Sequence, residues 1–143
     1  MKAKRTLFVA ILCLVGLSSF AGEVFGSLYY LGSINENSIQ FYNQKNGSWV
    51  HKPDQSLTIP AGSKSVFGVG TWVGAVVDNT VQFFSFTNGS WVHKPDQSLT
   101  IPAGSKSVFS VGTWVGAVVD NTVQFFSLTN GSWIHMTDYD LAT

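Results

Sequence analysis

Cysteine occurs once, at Cys13, and arginine once, at Arg5. A chain cut beyond them has no thiol, so it forms no intramolecular disulfide and no thiolate zinc site. From residue 23 onward, five lysines stand against eight Asp and Glu residues, a net charge of −3. Nucleic-acid binding needs a basic patch or stripe, and this balance argues against it. Amphipathic helical periodicity is also missing from residues 23–143, so strands and turns are expected throughout. A nucleophile elbow, a metal-spaced histidine cluster, a phosphate loop and a paired-glutamate motif are missing too. No enzymatic activity, cofactor or metal is therefore expected.

What is present begins with a targeting signal. Lys2, Lys4 and Arg5 precede an apolar run over residues 7–17, and SSFA follows at 18–21. A positive segment, a short apolar core and small residues before a cut near Gly22 make a secretory signal peptide. The run is shorter than the roughly 20 residues a membrane span requires. Leu12 is too bulky for Cys13 to be a lipidation site. Residues 1–22 are thus expected to be removed. Residues 23–143 are expected to be secreted or periplasmic, without membrane contact, and long enough for one modest core.

The rest of the chain repeats itself. NGSWVHKPDQSLTIPAGSKSVF begins at Asn46 and again at Asn88, an offset of 42 residues. Residues 46–87 and 88–129 differ only at Gly68/Ser110 and Phe86/Leu128. The match extends outward. EVFG at 23–26 answers SVFG at 65–68, ENSIQFY at 36–42 answers DNTVQFF at 78–84, and NGSWIH at 130–135 answers NGSWVH at 88–93. The domain at 23–143 thus divides into repeats 23–64, 65–106 and 107–143. Periods of this size mark propellers and solenoid arrays.

Within the second repeat every local signal is β. Residues 66–69 form a short apolar strand, and 72–77 a second strand that is apolar on both faces and so predicted to be buried. Asp78 and Asn79 form a turn, and 80–86 a third strand rich in β-formers. Asn88-Gly89 is a strong hairpin signal, because a type I′ turn needs positive φ at both positions. Residues 90–93 make a fourth strand that ends at Pro95-Asp96. A loop with a short apolar touch at 99–101 then leads to the next repeat.

This order, and the stretch SVFGVGTWVGAVVDNTVQFFSFTNGSWV at 65–92, resembles a β-propeller blade of the WD or lectin type. It departs from those families in having no Trp-Asp signature and no Asp-box. The resemblance implies an all-β fold of three four-stranded blades. Propellers close with about 4–8 blades, so a homodimer giving six is expected. A β-trefoil, which closes with three repeats in one chain, is the rival, although its glutamine-x-tryptophan signature is missing. Another three-repeat β fold remains open.

The recurring aromatic and polar residues supply the candidate site. Trp49, Trp91 and Trp133 each follow a hairpin turn and sit among Asn, Ser, His and Lys. Trp72 and Trp114 lie in second strands. Tryptophan stacks on sugar rings and packs equally well between sheets. His51, His93 and His135 recur, each followed three residues on by an aspartate, Asp54, Asp96 or Asp138. Such pairs could serve metal binding or acid–base work, but Pro-Asp is an ordinary turn opener. Asp78-Asn79 and Asp120-Asn121 recur as turn pairs. The expected function is lectin-like carbohydrate binding. Its sites would be Trp49, Trp91, Trp133, His51, His93, His135, Asp78, Asn79, Asp120 and Asn121, with a glycan or a protein surface as partner. The alternative is a structural or protein-interaction scaffold with no small-molecule ligand.

Overall fold

The computed structural model describes residues 23–143; the signal segment expected at 1–22 lies outside them. The described chain falls into two compact units. One comprises residues 23–25 with Tyr30–Ile59, the other Gly26–Tyr29 with Pro60–Thr143.

The first unit is built on one sheet, with strands β1 (Glu23–Gly26), β2 (Leu31–Asn35), β3 (Ser38–Lys45) and β4 (Ser48–Thr58) in spatial order β1-β2-β3-β4. Alternation along β2 and β3 buries Ile34, Ile39 and Phe41, and Leu57 and Ile59 join them. Tyr30 meets Phe41 edge-on, with centroids 5.2 Å apart.

The second unit holds two sheets. Strands β5 (Ser65–Val69), β6 (Trp72–Val77), β7 (Thr80–Thr87), β8 (Ser90–His93) and β9 (Leu99–Thr100) form one. Strands β10 (Ser107–Val111), β11 (Trp114–Val119), β12 (Thr122–Thr129), β13 (Ser132–His135) and β14 (Leu141–Ala142) form the other. Each repeat bonds its strands within its own antiparallel sheet. A trefoil would instead weave its repeats into one barrel, so the architecture is the propeller type.

Turn chemistry explains the hairpins. Asn88 and Gly89 adopt φ of 52° and 84°, the left-handed pair that lets a two-residue loop match the strand twist. Asp78 takes φ of 54°, a conformation that Asp tolerates better than most residues.

The expected loop after the fourth strand turns back to the sheet. A one-turn 3-10 helix, Pro95–Gln97, lifts the chain off β7, and Leu99 then pairs with Val81. Pro95 cannot donate to the ladder, so pairing stops there. It resumes because Leu99 and Ile101 gain burial. Thus β8 and β9 together fill the place of one fourth strand.

The two sheets of the second unit share a core. Residues on opposite faces of a strand alternate. One face of the second repeat carries Phe67, Val69, Val81, Phe83, Leu99 and Ile101. Against it stand Val108, Val115, Ala117 and Phe126 of the third repeat, and all ten belong to one buried cluster. Burying apolar surface in this way stabilises by roughly 25 cal/mol per Å². Gly74 makes the receiving face flat enough for an aromatic layer. It lies opposite Phe67 across β5 and β6, and a Cβ there would come within 2.7 Å of that ring.

Candidate functional site

Trp133 is the hinge of the candidate site. The Asn130-Gly131 hairpin turns the chain so that Trp133 on β13 projects toward the second repeat. Its ring stacks on Phe83 at 4.9 Å, with 22° between planes. Its indole Nε1–H donates to the backbone oxygen of Gln97 at 2.7 Å. This bond caps the 3-10 turn and fixes the ring. A half-buried tryptophan with its N–H satisfied is a rigid platform.

Beside it a cleft of about 420 Å³ opens between the 3-10 turn of the second repeat and β13 of the third. Asp96, Gln97, Phe126, Ser132, Trp133 and His135 line it. Gln97 Oε1 is buried with no hydrogen-bond donor among the described residues. A second cleft of about 340 Å³, on the side of the Gly70-Thr71 turn, is lined by Trp72, Thr113, Leu128 and Trp133. Trp133 therefore separates two recesses, one polar and one largely apolar.

His135 packs its ring on Phe126, with centroids 5.0 Å apart. Its Nε2 lies 2.9 Å from Asp140 Oδ2. Asp140 Oδ1 also accepts from the backbone N–H of Phe125 at 3.3 Å. The partner of His135 is thus not the aspartate three residues on, Asp138, but the one five residues on. The signal was present in the sequence: position 140 holds Asp where the earlier repeats hold Ser56 and Ser98. Gln97 also went unread, because only the fold brings it to Trp133.

The matching residues of the other repeats differ in setting. His93 packs on Phe84 at 5.0 Å. His51 lies beside Tyr42, and its Nε2 is 2.9 Å from Gln40 Oε1. Trp91 meets Phe86 edge-on at 5.3 Å and is half-buried, whereas Trp49 is 53% exposed. Asp78 and Asn79 are exposed at the far end of their hairpin from Trp91. The eight residues of β7 between them span roughly 25 Å at about 3.3 Å each. Asp120 and Asn121 are likewise exposed at the end of the third sheet away from Trp133. The turn pairs hold the connections instead: the carbonyl oxygens of Asn79 and Asn121 accept from Ile101 and Thr143 at 2.9 and 2.8 Å. Trp133 and His135 come together in one cleft; the aspartate–asparagine pairs do not join them. Among the described residues no group of three His, Cys, Asp or Glu is arranged to hold a metal.

Solved structures share this architecture. Hsv2 of Kluyveromyces marxianus, a β-propeller protein, superposes with a TM-score of 0.61 at 17% identity, over 85% of this chain and 38% of that one. A structure of Kluyveromyces lactis Hsv2 superposes at 0.58 and 13% identity, over 85% of this chain and 36% of that one. A second, with its loop 6CD complete, gives 0.55 and 13%, over 85% and 35%. The chain therefore spans less than two fifths of the length of these propellers. At such identities the likeness concerns the fold alone: three sheets of the β-propeller type. No protein-family model and no curated protein matches the sequence.

Proposed function

We propose that this protein is an exported, non-enzymatic binding module that recognises carbohydrate. The observation that carries the reading is the polar cleft beside Trp133. Gln97 Oε1 is buried there without a donor, and an unpaired buried carbonyl costs about 1–3 kcal/mol. A turn of the Gln97 side chain toward the cleft would bring Oε1 within reach of a ligand hydroxyl and relieve that cost. With one ring face on Phe83, Trp133 offers its other face and edge to a sugar ring. Asp96, Ser132 and His135 supply the acceptors and donors that a polyol needs. The likeness to lectin-type blades belongs to this proposal, as do export, secreted or periplasmic location, and the lack of nucleic-acid, membrane and cofactor partners.

A glycan array probed with the purified protein tests the reading. Binding to a defined glycan class is expected, and Gln97→Ala should lower it at least tenfold while leaving the fold intact. No binding across the array would overturn it. The second reading, a protein-interaction scaffold, is favoured by exposed apolar residues such as Val111 and Leu141.

A further inference from the structure

The third repeat ends the described chain with a face that the second repeat keeps covered. Phe67, Val69, Trp72, Phe83 and Leu99 recur 42 residues on as Phe109, Val111, Trp114, Phe125 and Leu141. The residues are the same, but the exposure is not. Val69 and Leu99 are 6% and 4% exposed, whereas Val111 and Leu141 are each 55% exposed. Trp114 and Tyr139 meet edge-on at 5.1 Å on this open face.

The structure also shows what fits such a face. The second repeat receives Trp133, which stacks on Phe83 and donates to the Gln97 carbonyl, together with Val108, Val115 and Phe126. Counting back two repeats, these positions are Trp49, Val24, Leu31 and Tyr42 on the first sheet. Trp49 and Val24 are 53% and 61% exposed. One chain thus carries an uncovered copy of the receiving face on its third sheet and an uncovered copy of its cover on its first.

We propose that two copies of this chain join head to tail through these faces. Trp49 of one copy stacks on Phe125 of the other and donates its indole N–H to the backbone carbonyl of Tyr139, the position that matches Gln97. The contact repeats the interface between the second and third repeats, whose sequences supply both halves. Made twice between two chains, it gives six sheets, within the four to eight of closed propellers, and leaves neither face uncovered. The proposal is independent of the carbohydrate reading.

Light scattering on the eluting protein at micromolar concentration tests it. The expected mass is that of two chains. Trp49→Glu and Val111→Glu should each give a single-chain mass with an unchanged circular dichroism spectrum, because both residues are exposed in the single chain. Mixing the two variants should restore a two-chain species, since each keeps the half that the other has lost. A single-chain mass for the unaltered protein would overturn the proposal. So would a mass that grows without limit, or a dimer broken by Val111→Glu but untouched by Trp49→Glu, which would mean that the open face pairs with itself.

Discussion

Gly74 has no room for a side chain, and the reason is one ring. Phe67 lies over it, and the repeat places Phe25 over Gly32 and Phe109 over Gly116 in the same way. Gly74→Ala should destabilise by about 1–3 kcal/mol, the usual range for overpacking. Phe67→Leu should recover part of that loss in the double variant, as measured by denaturant unfolding; additive losses would contradict the steric cause. Ser110, one of the two differences between the long copies, has a role of its own. Its hydroxyl donates to the carbonyl oxygen of Gly68 across the sheet interface. Ser110→Ala should cost roughly 0.5–1.5 kcal/mol, the net worth of one hydrogen bond. The sequence exposed the recurring Trp and His. The change from Ser56 and Ser98 to Asp140 marked the partner of His135, but 36 residues of chain hid that of Trp133.

Identical segments make a controlled comparison at the scale of the element. Residues 46–67 and 88–109 share every residue. Both put His beside the cross-strand aromatic, Tyr42 with His51 and Phe84 with His93. Both return to pairing at the leucine, Ile39 with Leu57 and Val81 with Leu99. Between these anchors the first copy stays one eleven-residue strand with a register shift. The second breaks into strand, 3-10 turn and strand. The anchors are set by sequence, and the path between them is soft. The hairpins were legible because Asn-Gly dictates its own backbone. Asn88→Ala should cost about 1–2 kcal/mol for a left-handed alanine, and Asn88→Gly should be close to neutral in thermal unfolding. The return at Leu99 was not legible, because Pro95 and Asp96 read locally as the end of a strand.

Over the whole molecule, covered and uncovered faces differ more than the sequences that form them. The apolar run of β6 foretold burial on both sides, and Val73, Ala75 and Val76 are buried. The period of 42 foretold three sheets. It did not separate the positions where a face meets its cover from those where it does not, because near-identical repeats carry the same residues at both. Amide exchange follows from this contrast. Val73, Val81 and Val115 are fully buried, so their N–H groups should be the slowest to exchange, while those of Val111 and Ser132 at sheet margins should exchange early. Uniform protection along all three repeats would contradict the packing described.

The proposed carbohydrate site is tested most directly by following the tryptophan indole N–H signals by NMR. The ligand is an oligosaccharide that the protein selects on a glycan array. The five tryptophans give separate signals, each assigned by substitution. The account predicts that the Trp133 signal shifts on titration, with that of Trp49 unmoved. A shift confined to Trp49, or saturable binding that leaves Trp133 unchanged, would contradict it.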